Sequence, residues 1–245
     1  MTTAQAILVL LAGVAAGTIN TVVGSGTLLT FPTLLAVGYS PVTANVSNSV
    51  GLAPGALSGA YGYRRELKGQ RERAIRLLTA SISGGIIGAV LLLVLPASFF
   101  KAIVPAFIAV ALLLIIFQKK LQAWVAARSF EAGRWTWPAT FLAGIYGGYF
   151  GAAQGILLMA IFGLTVRDEM QRLNALKNLL AGMVNAVSGV LFIFTSHIAW
   201  APALLLAGGS IVGGQLGAVF GRRLSPDFLR GLIVVVGLIA IVRLL

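Results

Sequence analysis

Residues 21–30 read TVVGSGTLLT, and they interrupt an otherwise apolar stretch with two glycines, a serine and three threonines. A helix in lipid cannot leave main-chain N–H groups unpaired, because no water reaches them at that depth. A break at this place therefore either packs against a neighbouring helix or forms part of the functional site.

The composition around this break is that of a membrane protein. Of the 245 residues, 58% are hydrophobic and 10% are charged, whereas a soluble domain carries about 25% charged residues. Long apolar runs at 77–95, 101–117, 202–221 and 232–245 are the predicted membrane spans. The apolar N-terminus has no basic segment before it and continues into the break, so we expect it to be retained rather than removed as a signal peptide.

Few residues here could support enzyme chemistry. The chain has no cysteine and one histidine, His197, in a loop sequence between two apolar segments. We therefore predict no metal, no cofactor and no catalytic activity; an intramembrane serine protease would need His197 as its base. The acids all fall in or beside polar loops, which leaves no carboxylate for a proton or sodium relay in the membrane. They are Glu66, Glu72, Glu131, Asp168, Glu169 and Asp227.

The sequence repeats itself at an offset of 129 residues, a constant spacing that indicates an internal duplication. Asn45 then corresponds to Asn174, and Phe99 to Phe228. The glycine pairs 84–85 and 213–214 match as well. We predict one membrane domain made of a first repeat, 1–117, a basic cytoplasmic linker, 118–135, and a second repeat, 136–245.

The direction of the two repeats depends on what each break is. If each break is the tip of a re-entrant hairpin, each half crosses the membrane three more times and the repeats are inverted. If each break only kinks a spanning helix, the repeats are parallel. Basic residues collect in cytoplasmic loops; the hairpin topology puts 16 of the 18 inside, and the kinked one 11. We therefore predict an all-α polytopic membrane protein with two inverted repeats, each a broken, re-entrant hairpin plus three transmembrane helices.

Two such hairpins would bring two helix starts together near the middle of the membrane, at about 27 and 156. A helix start carries unpaired N–H groups and a partial positive charge, so a facing pair is suited to an anion. The stabilisation from two helix ends is smaller than the free energy needed to remove water from an ion, so further hydrogen-bond donors must point into the same site. The candidate substrate-binding residues are Asn20, Gly24, Ser25, Gly26, Thr27, Asn45, Asn48, Gln154, Gly155, Asn174, Lys177 and Asn178.

Structural roles for these residues stay open at this point. The asparagines could be hydrogen-bonding contacts between helices, and Lys177 could extend to the cytoplasmic interface. The net charge of +12 reflects basic cytoplasmic loops, which also suit anionic lipid head groups. No folded domain is present to bind nucleic acid, and the sequence leaves the oligomeric state open.

Residues 12–65, AGVAAGTINTVVGSGTLLTFPTLLAVGYSPVTANVSNSVGLAPGALSGAYGYRR, resemble the N-terminal signature of the TauE/SafE family of sulfite and organosulfonate exporters. Most of the resemblance is carried by Gly24-x-Gly26, Pro32, Gly38, Ala44-Asn45 and Arg64-Arg65. It implies a transporter of a small sulfur-containing anion, such as sulfite or an organosulfonate, in the bacterial inner membrane. The second repeat departs from the motif, with GAAQG where the first has VVGSG, so Gln154 and Ser25 need not have equal roles. The resemblance also implies that related thiosulfate importers use cysteines, and the absence of cysteine here disfavours thiosulfate uptake.

The expected function is export of such an anion by alternating access around a site between the helix starts. An anion channel and an importer of thiosulfate-like or sulfate-like anions are the alternatives. A membrane scaffold without transport activity would give the duplicated polar breaks no purpose.

Overall fold

A computed structural model describes residues 1–126 and 133–220, and beyond them only positions 231, 234, 235 and 238. In this part of the chain the regular structure is α-helical: α1 (Thr3–Val22), α2 (Thr27–Ala36), α3 (Pro41–Gly62), α4 (Arg71–Val94), α5 (Ala97–Ala126), α6 (Gly133–Tyr149), α7 (Gln154–Thr165), α8 (Met170–Thr195) and α9 (Trp200–Phe220). Several sequence assignments lie outside the described residues: most of the predicted span 232–245, the basic residues Arg128, Arg222, Arg223, Arg230 and Arg243, the acids Glu131 and Asp227, and Phe228.

Five of these helices, α1, α4, α5, α8 and α9, are long and apolar enough to cross a membrane. The prediction of an all-helical, polytopic membrane protein is confirmed. Helices α2 and α7, with 10 and 12 residues, reach only about half of a 30 Å hydrocarbon core. Within the predicted linker, residues 118–126 belong to α5 and residues 133–135 to α6; residues 127–132 lie outside the described part of the chain.

Each break reverses the direction of the chain. We call residues 23–26, between α1 and α2, the first tip, and residues 150–153, between α6 and α7, the second tip. A side chain on Gly26 would run into the carbonyl oxygen of Ala16, and the Gln154 amide donates to the Ala143 oxygen at 3.3 Å. Ten or eleven residues along a straight helix would separate such groups by about 15 Å. Therefore α2 begins folded back on α1, α7 begins folded back on α6, and neither pair is a continuous rod.

The two central helices, α3 and α8, pack against each other in opposite directions. Gly182 of α8 lies against Ala56 of α3, and further along α8 Gly189 lies against Val50. The residue numbers rise along one helix and fall along the other, so the pair is antiparallel. At the repeat offset of 129 these helices correspond to each other.

The remaining large helix contacts run parallel. Helix α9 lies alongside α1 and α3, and α4 lies alongside α6 and α8. In each pair the numbers of the contacting residues rise along both helices. Gly13 and Gly17 of α1 contact Leu206 and Ser210 of α9. Gly51 and Gly62 of α3 contact Leu206 and Ala218 of α9, and Ser81 and Gly85 of α4 contact Gly144 and Gly148 of α6. The pairing of α9 with α1 and α3 thus has a counterpart in the pairing of α4 with α6 and α8. Small residues let these backbones approach closely, as is usual where membrane helices associate.

An ion-pair cluster joins the connections at the base of the second broken hairpin. Asp168, between α7 and α8, accepts from Arg73 of α4 at 2.5 Å and from Arg172 of α8 at 2.8 Å. Burial acts to raise the pKa of the Asp168 carboxyl, but hydrogen bonds from Arg73, the Glu169 main chain and Arg172 outweigh it and hold that pKa below its ordinary value. The cluster ties the first turn of α4 to the start of α8.

We expect Asp168→Asn to lower the free energy of unfolding by about 1 kcal/mol at pH 7, because both arginines are partly exposed and screened by solvent. A carboxyl with a lowered pKa in the folded state stabilises above its unfolded pKa, about 3.9, and loses that contribution as the pH falls through the folded pKa. The difference between wild type and variant, measured by thermal unfolding in detergent, should therefore disappear below about pH 3. Glu169→Gln, on the exposed neighbour, is the control; a pH-independent difference would contradict the assignment.

Candidate functional site

The two tips are in direct contact through their main chains. The Gly155 N–H, in the first turn of α7, donates to the Gly24 carbonyl of the first tip at 3.1 Å. Gly24 has a φ of +90°, in a region that favours glycine. A Cβ on Gly155 would lie 2.5 Å from the Gly24 Cα, and a Cβ on Gly24 would lie 2.6 Å from the Gly155 Cα. Side chains at these positions would force the tips apart.

Three side chains of α8 converge on the end of α1. The amide nitrogens of Asn174 and Asn178 and the ammonium of Lys177 each donate to the Thr21 carbonyl oxygen at 3.2 Å, and Lys177 also donates to the Asn20 oxygen at 3.0 Å. Spacings of three and four residues put all three on one face of α8, as expected for Asn174 and Asn178. A carbonyl oxygen has two lone pairs, so this place holds more donors than the single oxygen can satisfy.

Lys177 is deeply buried at this convergence, with 1% of its surface exposed. The alternative in which it extends to the cytoplasmic interface is therefore excluded. Its hydrogen bonds go to main-chain carbonyls, which are dipoles without net charge. The end of α1 favours a cation there, but the described carboxylates lie in the connections between helices or in the first turn of α4.

Helix α3 makes the corresponding contacts with the other half. The Asn45 amide donates to the carbonyl of Tyr149, the last residue of α6, at 2.9 Å. Asn45 and Asn174 are related by the repeat offset, and each binds the end of the broken helix in the opposite half. Asn48, which corresponds to Lys177, donates to the Thr27 hydroxyl at 3.4 Å and accepts from the Thr30 hydroxyl.

Some buried polar atoms of described residues in and beside the broken helices, and of Asn45, have no partner. Within the described residues, four buried side-chain atoms near the tips have no hydrogen-bond partner: Thr21 Oγ1, Ser25 Oγ, Asn45 Oδ1 and Tyr149 Oη. Such atoms are few in native proteins, and each one costs free energy unless something binds it. A polar ligand could supply the partner that Ser25 Oγ and Asn45 Oδ1 lack, whereas the Tyr149 ring packs among aromatic side chains.

The helix starts themselves offer fewer free N–H groups to an anion than the sequence suggests. The first N–H groups of α7 are already bonded, Gln154 to the Gly151 carbonyl at 3.2 Å and Gly155 to Gly24. At the start of α2, the Gly26 N–H donates to the Asn20 side chain at 3.4 Å. Any charge at this site is therefore met mainly by side chains from α3 and α8, and less by the ends of α2 and α7.

Eleven of the twelve candidate residues are buried and Asn20 is half-buried. The structure brings Asn20, Asn174, Lys177 and Asn178 together at the end of α1. It also joins Gly24 to Gly155 and Asn48 to Thr27. The Gln154 side chain is bound to α6 through Ala143, and Ser25 is buried within the first tip.

Sequence reasoning missed the aromatic residues around the second tip. Phe31 of α2 meets Phe150 edge-on, with ring centroids 5.2 Å apart, and Phe100 of α5 lies 5.7 Å from Tyr149. The signal for this cluster is YGGYFG at 146–151, in which two aromatic residues directly precede the break. These rings form an apolar wall beside the polar contacts, and they join α2 and α5 to the second tip.

The chain resembles known membrane proteins along nearly its whole length. The family model described as "Sulfite exporter TauE/SafE" matches residues 9–244. The "Probable membrane transporter protein YfcA" of Escherichia coli K12 is 26% identical over 94% of this chain and 86% of its own length. The "Probable membrane transporter protein ORF9" of a Sinorhizobium species is 25% identical over 94% of this chain and 88% of its own. No solved structure matches significantly.

Proposed function

The chain is a membrane transporter of the TauE/SafE family, and from that premise we propose that it exports a small sulfur-containing anion such as sulfite or an organosulfonate. The anion binds between the two tips, among the side chains of α3 and α8. The description of the matching family as sulfite exporters supports this class of substrate, and the chemistry of the tips is suited to an anion.

The observation that carries the proposal is the burial of Lys177, whose Nζ donates to two neutral carbonyls and, when protonated, faces no opposite charge among the described residues. A buried charge without an opposite charge costs several kcal/mol. An anion beside it would supply the missing charge, and the surplus donors on the Thr21 carbonyl could turn to its oxygen atoms. Hydrogen bonds to a charged group contribute roughly 1.5–3 kcal/mol each, so the ammonium and the two α8 amides together match the drying penalty of several kcal/mol.

We further propose that the two halves are inverted repeats that rock against each other to expose the anion to one side and then to the other. The antiparallel packing of the corresponding helices α3 and α8 supports this arrangement. The reversal of the chain at each break supports re-entrant hairpins, whose tips would then lie near the middle of the bilayer. The main-chain contact between Gly24 and Gly155 would close the path between the two sides.

In this topology the basic connections face the cytoplasm of a bacterial inner membrane, where they meet anionic lipid head groups. A cavity of about 410 Å³ at the base of the second hairpin is lined by Arg73, Arg76 and Arg167. These guanidinium groups would gather anions at the inner mouth, which is the entrance that an exporter needs.

Flux into and out of reconstituted liposomes tests the proposal, with sulfite, methanesulfonate, thiosulfate and sulfate as substrates. We expect saturable flux of sulfite or the sulfonate. We expect Asn174→Ala and Asn45→Ala to reduce it by at least about tenfold, since each removes a buried hydrogen bond worth about 1.4 kcal/mol. We expect a similar loss for Gly26→Leu, because a side chain there would run into the Ala16 carbonyl oxygen and displace the first tip. Asn185→Ala is the matched control, because Asn185 lies on α8 about 10 Å beyond Asn178.

The same assay separates the alternatives. Flux that does not saturate would indicate a channel, and accumulation of the anion on the cytoplasmic side against its own gradient would indicate an importer. Normal flux in the folded Asn174 and Asn45 variants would show that the substrate binds elsewhere. An absence of flux for every sulfur anion in the panel would contradict the proposed substrate class.

A further inference from the structure

The two halves differ in charge at one pair of corresponding positions within the site. Lys177 of α8 and Asn48 of α3 are related by the repeat offset of 129 residues. Both are buried, with exposed fractions of 1% and 2%. Lys177 contacts the end of α1 across the boundary between the halves, whereas Asn48 binds Thr27 and Thr30 of its own half. With Lys177 protonated, as it would be beside a bound anion, the duplicated site carries one formal positive charge where symmetry would give two or none.

We propose that this single charge makes the transporter selective for singly charged oxyanions, so that a sulfonate or bisulfite is carried in preference to sulfate or doubly charged sulfite. The inference rests on the proposed function and specifies its substrate class. Lys177 is the residue that sets the preferred charge, and Asn48 is the position at which a second charge would change it.

The physical reason is charge balance in a site that excludes water. A monoanion beside the Lys177 ammonium leaves the buried site with no net charge. A dianion leaves one uncompensated negative charge among amide and hydroxyl groups, and its stronger hydration must also be given up on entry. The other cations near this half, Arg73, Arg76 and Arg167, line the cavity at the base of the hairpin. The Asp168 carboxylate at the base of the same hairpin is paired with Arg73 and Arg172.

Competition with perchlorate and sulfate separates charge from shape, because both ions are tetrahedral and of similar size but differ by one charge. Liposomes that contain the wild-type protein are loaded with radiolabelled methanesulfonate, and its flux is measured. Each competing ion is then titrated at the same ionic strength. We expect perchlorate to inhibit at concentrations at least about tenfold lower than sulfate, since one uncompensated buried charge is worth well over 1.4 kcal/mol. In Asn48→Lys, the inhibitory potency of sulfate should rise at least about tenfold relative to that of perchlorate.

Asn48→Gln is the matched control for the variant, because it changes the side-chain length without adding a charge, and its sulfate-to-perchlorate ratio should stay as in wild type. Equal inhibition by the two ions in wild-type protein that does carry methanesulfonate would overturn the charge selectivity and leave the proposed function standing. If Asn48→Lys fails to fold, the ratio of sulfate to perchlorate inhibition in wild-type protein decides whether the site selects by charge. Wild-type protein that carries neither sulfite nor methanesulfonate would overturn the proposed function itself, and this inference with it.

Discussion

Replacing Lys177 by methionine is expected to reduce anion flux at least about 100-fold while the protein stays folded. The ammonium is the formal charge at the convergence of α8 on the end of α1, with hydrogen bonds of 3.0 and 3.2 Å to two carbonyls. Loss of a charged group from a buried pair costs about 3–5 kcal/mol, which corresponds to more than 100-fold in affinity. Reconstituted flux of sulfite and of methanesulfonate measures the effect.

Thermal unfolding distinguishes this role from a structural one. Methionine has nearly the length of lysine and no charge, and a buried charge without an opposite charge is costly to the folded state. The unfolding temperature of Lys177→Met should therefore hold or rise while transport is lost. Lys101→Met is the matched control, since Lys101 is an exposed lysine of α5. A sharp fall in unfolding temperature with unchanged flux per folded molecule would mean that Lys177 only holds α1 in place.

Replacing Gly155 by alanine is expected to separate the tips, and so to lower both stability and transport. In an ordinary helix this exchange stabilises by up to about 1 kcal/mol. Here the new methyl carbon would lie 2.5 Å from the Gly24 Cα and 2.9 Å from the Gly24 oxygen, and main-chain atoms cannot rotate away. Overpacking of this kind costs about 1–3 kcal/mol, and a shift of about 1 Å at a site can reduce its activity 100-fold.

The control for Gly155→Ala is Gly208→Ala. Gly208 lies within α9, and a Cβ there would meet nothing within 4 Å, so it should keep the wild-type flux and unfold at the same or a higher temperature. Both variants are compared by thermal unfolding in detergent and by flux at equal amounts of folded protein. An unfolding temperature for Gly155→Ala equal to that of Gly208→Ala would mean that the tips are not in contact in the membrane.

Much of the architecture can be predicted from composition and repetition. Low charge content and long apolar runs predict a polytopic helical protein, and TVVGSGTLLT marks the first break, with α2 beginning at Thr27 as expected. The second break is harder to place. Its helix begins at Gln154, two residues before the predicted start, because the tip turns through Gly151 and Ala153, both with positive φ.

The directions of the donors at the site could not be predicted. Spacing alone put Asn174 and Asn178 on one face of α8, but not the carbonyl that both bind. That contact depends on how α8 packs across α1 in the other half. The same holds for Lys177: two carbonyls at the end of α1 hold its side chain inside the protein, and no sequence pattern distinguishes this from a lysine that extends to the interface.

Asn45 binds the end of α6 and Asn174 binds the end of α1, so each half carries the amide that completes the broken helix of its counterpart. Neither half on its own could satisfy those terminal carbonyls. We therefore expect folding and transport to need both halves, and a single-copy ancestor with this geometry would have needed a second subunit to supply the missing amide.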